Sequence, residues 1–259
     1  MPISIEFLDS LLSEQIGSYL WPFFRIAGVL MVAPVFGARL VPVRIRVMLG
    51  LSVTFVLVPV LPASPAFEAS LSTGLLLAQE MLLGVAMGFT LQMVFDALVI
   101  AGQTIAMTMG LGFAMLVDPQ RGVSVPVLSQ FFLIIGILIF LSLGGHLAVL
   151  RMLAESFQIL PIGELVPRES LWVLVNWGGE MFVGAIRIAL PAVVAMLVVN
   201  IAFGVMSRAA PTLNLFAVGF PSALLLGFIV LLLNVGNLSS SLIELLEAAF
   251  LNIDLMLRG

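Results

Sequence analysis

The chain has 259 residues, of which 62% are hydrophobic and 9% charged, with a net charge of −4 and a mean hydropathy of +1.26. A soluble domain carries about 25% charged residues, so this is an integral membrane protein without room for a sizeable soluble domain. Every basic residue is Arg, no basic cluster suits nucleic acid or anionic lipid, and the absence of Cys excludes disulfides, thiolate catalysis and cysteine metal sites.

The N-terminus carries Glu6, Asp9 and Glu14 before the first Arg, Arg25. It lacks the positive n-region of a signal peptide, so insertion is expected to rely on the hydrophobic segments themselves. Hydropathy places six of these, at 16–36, 47–61, 75–101, 125–150, 181–206 and 213–235. Together they predict an all-α membrane protein, a single membrane-embedded domain over 1–259. Pro22, Pro34, Pro191 and Pro221 fall in or near the apolar runs, with small sites at Gly136, Gly184, Gly204 and Gly227 among others. Bent and broken helices are expected, with freed backbone groups satisfied by neighbouring helices.

The first segment holds Arg25. An Arg at mid-membrane costs about 3 kcal/mol on insertion scales, so it needs an acid, carbonyls or a watery surface. The same holds for Arg187 in the fifth segment. Glu80, Asp96 and Glu180 are the candidate partners, and the sequence does not pair them. In the third segment Glu80, Gly84, Gly88, Gln92 and Asp96 recur every four residues. Gly84-x-x-x-Gly88 permits close helix approach. The stripe suits tight packing and inter-subunit pairing; the alternative is an ion or proton path, since intramembrane acids are costly.

The segment 107–119, MTMGLGFAMLVDP, is apolar but contains Gly110 and Gly112 and ends at Asp118-Pro119. Gly disfavours a rigid helix and Pro ends one. An apolar loop exposed to lipid would leave its backbone polar groups without partners. It is therefore expected to be buried in protein or to line a cavity. Met107, Met109 and Met115 supply soft, adaptable side chains. The segment reads either as a gasket or plug, or as a packed connection between helices.

His146 follows Gly144-Gly145 and is expected to cap or hydrogen-bond rather than to bind a ligand. No catalytic triad, zinc motif or phosphate loop is present, so no enzyme and no cofactor is expected. The stretch 239–257 is amphipathic, with Leu242, Leu245, Leu246 and Ala249 on one side and Glu244, Glu247 and Asp254 on the other. It is expected as a further helix on a partner or interface. Connections holding Arg39, Arg44, Arg46, Arg121 and Arg208 alternate with those holding Arg151, Arg168 and Arg258. By the positive-inside rule this excess places both termini outside.

In order along the chain, Trp21-Pro22, Arg25, Ala33-Pro34 and Pro42-x-Arg44 are followed by Met109-Gly110-Leu111 through Phe113 and by Val117-Asp118-Pro119. Then come Gly145-His146-Leu147, Ser156-Phe157, Pro161-x-Gly163, Asn200-x-Ala202-x-Gly204, Arg208-x-Ala210-Pro211 and Gly219-Phe220-Pro221. Taken together these landmarks resemble the FliR family of type III export gates, over nearly the whole chain, with spacing that favours its flagellar branch over the injectisome branch. The resemblance implies a gate subunit of bent helical hairpins in the bacterial inner membrane, at the flagellar basal body. It implies FliP- and FliQ-type partners, FlhB- and FlhA-type associates, and unfolded export substrates in transit. It also implies that Met109, Gly110, Leu111, Gly112, Phe113, Ala114, Met115, Leu116, Val117, Asp118 and Pro119 form a plug at the constriction of the channel. Arg25, Glu80, Gly84, Gly88, Asp96, Arg187 and Arg208 would then serve packing between helices and subunits. The competing expectation is a small-solute or ion transporter that uses Glu80, Asp96, Arg25 and Arg187 as its polar path.

Overall fold

The computed structural model describes residues 5–38, 41–67, 70–111, 127–209 and 215–259, and among these it contains helices and connections but no strand. In chain order the helices are α1 (Ile5–Val32), α2 (Val43–Leu57, with a 3-10 turn at Val58–Val60), α3 (Leu71–Thr108), α4 (Val127–Ser142), α5 (Gly145–Ile159), α6 (Arg168–Ala209) and α7 (Leu215–Arg258). Pro22, Pro191 and Pro221 lie inside α1, α6 and α7. Among the described residues four helices are long and apolar enough to cross a membrane: α2 with its 3-10 turn, α3, α6, and α7 from Pro221. The pair α4–α5 makes a fifth if counted as one span, bent by 67° at its break.

Three features differ from the hydropathy reading. The fourth apolar segment is two helices, because Gly144 takes φ +72 between α4 and α5. The amphipathic stretch at 239–257 is not a separate helix; it continues α7, whose 44 residues run unbroken. And α3, α6 and α7, at 38, 42 and 44 residues, extend about 57, 63 and 66 Å at 1.5 Å per residue. The hydrocarbon layer is about 30 Å thick, so none of the three is an ordinary single span.

Gly144 offers a clean test of the break. A methyl there would meet nothing within 4 Å, so only backbone strain opposes it. Gly144→Ala should therefore lower stability by about 1–2 kcal/mol, the cost of a left-handed L-residue. Thermal aggregation of the detergent-solubilised protein would read this out, and no loss would mean that the turn relaxes freely.

The chain forms two compact units. The first comprises 1–93, 140–178 and 248–259, and the second 94–139 and 179–247. In the first unit α1 crosses α3 at glycines. A β-carbon on Gly28 would collide with the carbonyl of Met81, and one on Gly84 with the carbonyl of Arg25. One on Gly88 would stand 2.9 Å from the carbonyl of Val29. Gly84 and Gly88 thus lie against the backbone of α1 within the chain, and Gly28 is their counterpart on α1. Around the crossing pack Trp21, Ile26, Val29, Leu83, Met87 and Leu91, all buried. Indole donors tie down distant carbonyls: Trp21 Nε1 donates to Pro65 O at 2.8 Å, and Trp177 Nε1 to Thr90 O at 3.0 Å. Both contacts satisfy polar atoms that burial would otherwise orphan.

The second unit packs by the same device. Gly102 lies against the backbone of Ser129, whose Oγ donates to Val99 O at 2.9 Å. A β-carbon on Gly184 would stand 2.7 Å from the Leu245 side chain. Its buried face is completed by Phe95, Leu98, Ile105, Phe132, Met196 and Leu242. Leu242, Leu245 and Leu246 are buried while Glu244 and Glu247 are exposed, as the amphipathic pattern requires. α3 is the best-covered span, with 61% of its most apolar window buried against 17% for α6 and 22% for α7. The outward faces of α6 and α7 therefore remain apolar and uncovered in the single chain.

Candidate functional site

α3 ends, at the start of the apolar stretch that the sequence singles out, through a set of backbone contacts specified by Gly110. Gly110 has φ +83, a conformation open to Gly without steric cost. Its N–H donates to Met107 O at 3.1 Å, and the N–H of Leu111 donates to Ala106 O at 3.0 Å. This pair is a Schellman cap with Gly110 at its left-handed position. Met107 and Thr108 consequently belong to the last helical turn, so α3 ends two residues later than composition suggests. Met109 points inward and is buried. Its side chain lies on the bare backbone of Gly227 in α7, where a β-carbon would stand 2.6 Å from Cε, 2.7 Å from Cγ and 3.0 Å from Sδ. Asn200 of α6 donates from Nδ2 to Thr108 O at 3.4 Å, covering one of the carbonyls a helix end leaves open. All of these groups belong to the second unit. Of the proposed plug, only Met109, Gly110 and Leu111 are described; Gly112, Phe113, Ala114, Met115, Leu116, Val117, Asp118 and Pro119 lie outside the described residues.

In the first unit Arg25 and Glu80 find each other. Both are fully buried, and Arg25 Nε donates to Glu80 Oε2 at 2.6 Å. The rest of the guanidinium faces the C-terminal end of α5. Nη1 donates to Ser156 O at 2.9 Å and Nη2 to Leu160 O at 3.0 Å. The Phe157 ring sits 4.2 Å from the guanidinium carbon. A cation at a helix C-terminus is favoured by the carbonyl dipoles there, and the planar fork of Arg is the side chain able to serve several acceptors at once. The pair is therefore an internal clamp joining α1, α3 and α5. The sequence reading named Glu80 as a candidate partner of Arg25 but also entertained inter-subunit pairing; the contact is within the chain.

The remaining polar candidates sit elsewhere. Arg187 Nη1 meets Glu244 Oε2 at 3.4 Å, both side chains being exposed. Its partner is thus neither Glu80, Asp96 nor Glu180; a helix-to-helix pairing across 57 residues carries no local sequence signal. Asp96 is half-buried, and Arg208 is exposed in the last turn of α6, where the helix end favours a cation. Arg25 and Glu80 belong to the first unit, Asp96 and Arg187 to the second. Neither unit alone assembles the four-residue path that a small-solute transporter would use. His146 stands at the start of α5, and its Nδ1 is buried with no hydrogen-bond partner among the described residues. The expected hydrogen bond is not made at that atom.

Reasoning from sequence missed Asn200 and Gly227 as partners of the loop base, and the α5 carbonyls as partners of Arg25. Asn200 lies in one of the landmark motifs and Gly227 among the small sites, but neither signal names its partner.

Comparison with known proteins supplies the family. The family model of bacterial export proteins, family 1, matches residues 16–249. The chain is 36% identical over 217 residues to the flagellar biosynthetic protein FliR of Pectobacterium carotovorum subsp. carotovorum, covering 83% of each chain. It is 36% identical over 210 residues to FliR of Escherichia coli (strain K12), covering 81% of this chain and 80% of that one. It is 35% identical over 230 residues to FliR of Aquifex aeolicus (strain VF5), covering 88% and 89%. A family match this long, on a chain of multi-pass apolar helices in which the landmark residues Trp21, Arg25 and Gly110 hold the helices in place, leaves one assignment: the chain belongs to the bacterial export proteins, family 1, the family of the flagellar biosynthetic protein FliR.

Proposed function

We propose that the chain is a membrane subunit of the flagellar protein export apparatus, in the bacterial inner membrane, and that it helps to form the channel through which unfolded flagellar proteins leave. The observation that carries this reading is the family match over 16–249, with FliR proteins named as flagellar biosynthetic proteins among its relatives. The uncovered apolar faces of α6 and α7 and the length of α3, α6 and α7 support a chain that completes itself against other subunits. FliP- and FliQ-type gate subunits are the proposed neighbours, with FlhB- and FlhA-type proteins as further associates. The chain performs no catalysis in this reading; energy comes from partners or from the proton motive force.

The apolar loop that follows the Gly110 cap is the proposed plug. Leu111, Phe113 and Met115 close around the passage and limit ion leak, while buried Met109 anchors the near end and Asp118-Pro119 anchor the far end as a helix cap and first turn. Its support is compositional: an apolar, glycine-bearing connection does not sit in lipid. Phe113→Ala should raise ion leak through the membrane, and Gly110→Val, which forces a β-branched residue into φ +83, should do so at least as strongly. Leak is read as membrane permeability and export as secreted flagellar protein. Two substitutions that leave both quantities unchanged sink the plug.

Affinity purification of the tagged chain from mild detergent tests the assembly itself. FliP- and FliQ-type subunits in stoichiometric amount are the expected result. A stable monomer without them would instead favour the transporter reading.

A further inference from the structure

We propose that Gly227 and Asn200 are positioning residues for the base of the apolar stretch: Met109 seated on the bare backbone of Gly227 holds the point at which the chain leaves α3, and the seat opens during export. This rests on the plug reading above. Three contacts converge on four consecutive residues. The Gly110 cap fixes the direction in which the chain leaves α3. The Asn200 amide holds the Thr108 carbonyl. The Met109 side chain occupies the space that any larger residue at 227 would take. At the end of α3 Ile105 and Ala106 are buried beside Met109 and make that end the support; α6 and α7 supply the two contacts that can let go. Both contacts are of a releasable kind. The hydrogen bond from Asn200 Nδ2 to Thr108 O is long, at 3.4 Å, and Met is an unbranched side chain that adapts to irregular space. A methyl at 227 cannot be absorbed by the tip of Met109 alone, because Cγ is also within 2.7 Å. The side chain would have to leave through a rotamer change or carry the loop base with it.

The chain has no Cys, so a paired substitution reports on this contact without background. Met109→Cys with Gly227→Cys places one sulfur near the present Cγ, within reach of a disulfide. In membranes that hold the assembled apparatus, a mild oxidant should crosslink the pair. Export should then fall on the order of tenfold and return with reductant. Failure to crosslink would mean that the seat is empty in the assembly, and a crosslink with undiminished export would mean that it need not open; either overturns the proposal.

A steric arm keeps the test independent of the disulfide. Gly227→Val should raise ion leak on the order of tenfold at an unchanged amount of assembled complex. Adding Met109→Ala should bring the leak back toward its starting value by restoring the summed volume. Leak that the second substitution does not relieve overturns the steric seat. If Phe113→Ala leaves leak and export untouched while the disulfide still blocks export, the plug reading fails and the seat stands.

Discussion

Arg25→Met should all but abolish the folded protein in the membrane. The side chain is fully buried and holds Glu80 at 2.6 Å, Ser156 O at 2.9 Å and Leu160 O at 3.0 Å. Removing one partner of a buried ion pair costs about 3–5 kcal/mol, because the other charge is left without compensation. The Leu160 carbonyl loses its donor in the same step, whereas Ser156 O keeps the Leu160 N–H at 3.0 Å, and a buried acceptor left open costs about 1–3 kcal/mol. The sum is of the order of a whole domain's stability, roughly 5–15 kcal/mol. Arg25→Lys should fall between Met and the parent, since an ammonium cannot present a planar fork to a carboxylate and two carbonyls together. The double substitution Arg25→Met with Glu80→Leu should recover part of the loss. It removes the stranded carboxylate but not the stranded Leu160 carbonyl. Membrane abundance and thermal aggregation in mild detergent give the order expected: parent, then Lys, then the double variant, then Met alone. A Met variant as stable as the parent would show that the clamp contributes little.

That order also bears on why these residues sit in apolar helices at all. An intramembrane Arg and Glu are the natural parts of a transport path, and the sequence leaves that reading open. Their geometry favours the structural role, because each guanidinium nitrogen of Arg25 donates to an acceptor within the same unit. The need for a partner is plain from the sequence, but choosing among Glu80, Asp96 and Glu180 requires the α1–α3 crossing. That crossing was half legible. Gly84-x-x-x-Gly88 announces a close approach, yet Gly28 on the other helix stands among apolar residues with no spacing rule to single it out. The helix ends were legible where glycine chemistry decides them, as at Gly110, though composition alone put the loop at Met107. The length of α7 was not legible, because the change from an all-apolar face to an amphipathic one near 236 looks like a boundary. It is instead a continuous helix whose buried side persists through Leu238, Leu242, Leu245 and Leu246. The partner of Arg187 could not be read for the same reason as Asn200 and Gly227: contacts between distant helices leave no trace in local pattern.

The second large effect is expected at Gly84, through backbone rather than charge. Its β-carbon would fall on the carbonyl of Arg25, and no side-chain rotation can relieve a collision with main chain. Gly84→Ala should therefore lie at or above the upper end of the roughly 1–3 kcal/mol that overpacking costs. The controls are glycines of the same kind in open positions. Gly178 and Gly204 lie in α6, where an added methyl would meet nothing within 4 Å, so Ala at either should be neutral or stabilise the isolated chain by about 0.5–1 kcal/mol through helix propensity. A uniform response at all three positions would mean that the α1–α3 crossing is not set by contact. The two large effects are also linked. The atom that Gly84 spares is the carbonyl of Arg25 itself, so pushing α1 away from α3 drags the guanidinium from Glu80 and from the end of α5. Neighbouring sites that share a partner are not additive. Gly84→Ala should accordingly cost much less in a chain that already carries Arg25→Met with Glu80→Leu, where the clamp has gone and α1 is free to shift. An additive result would separate the crossing from the clamp, and the landmark Arg of α1 would then need another reason for its place beside a glycine stripe.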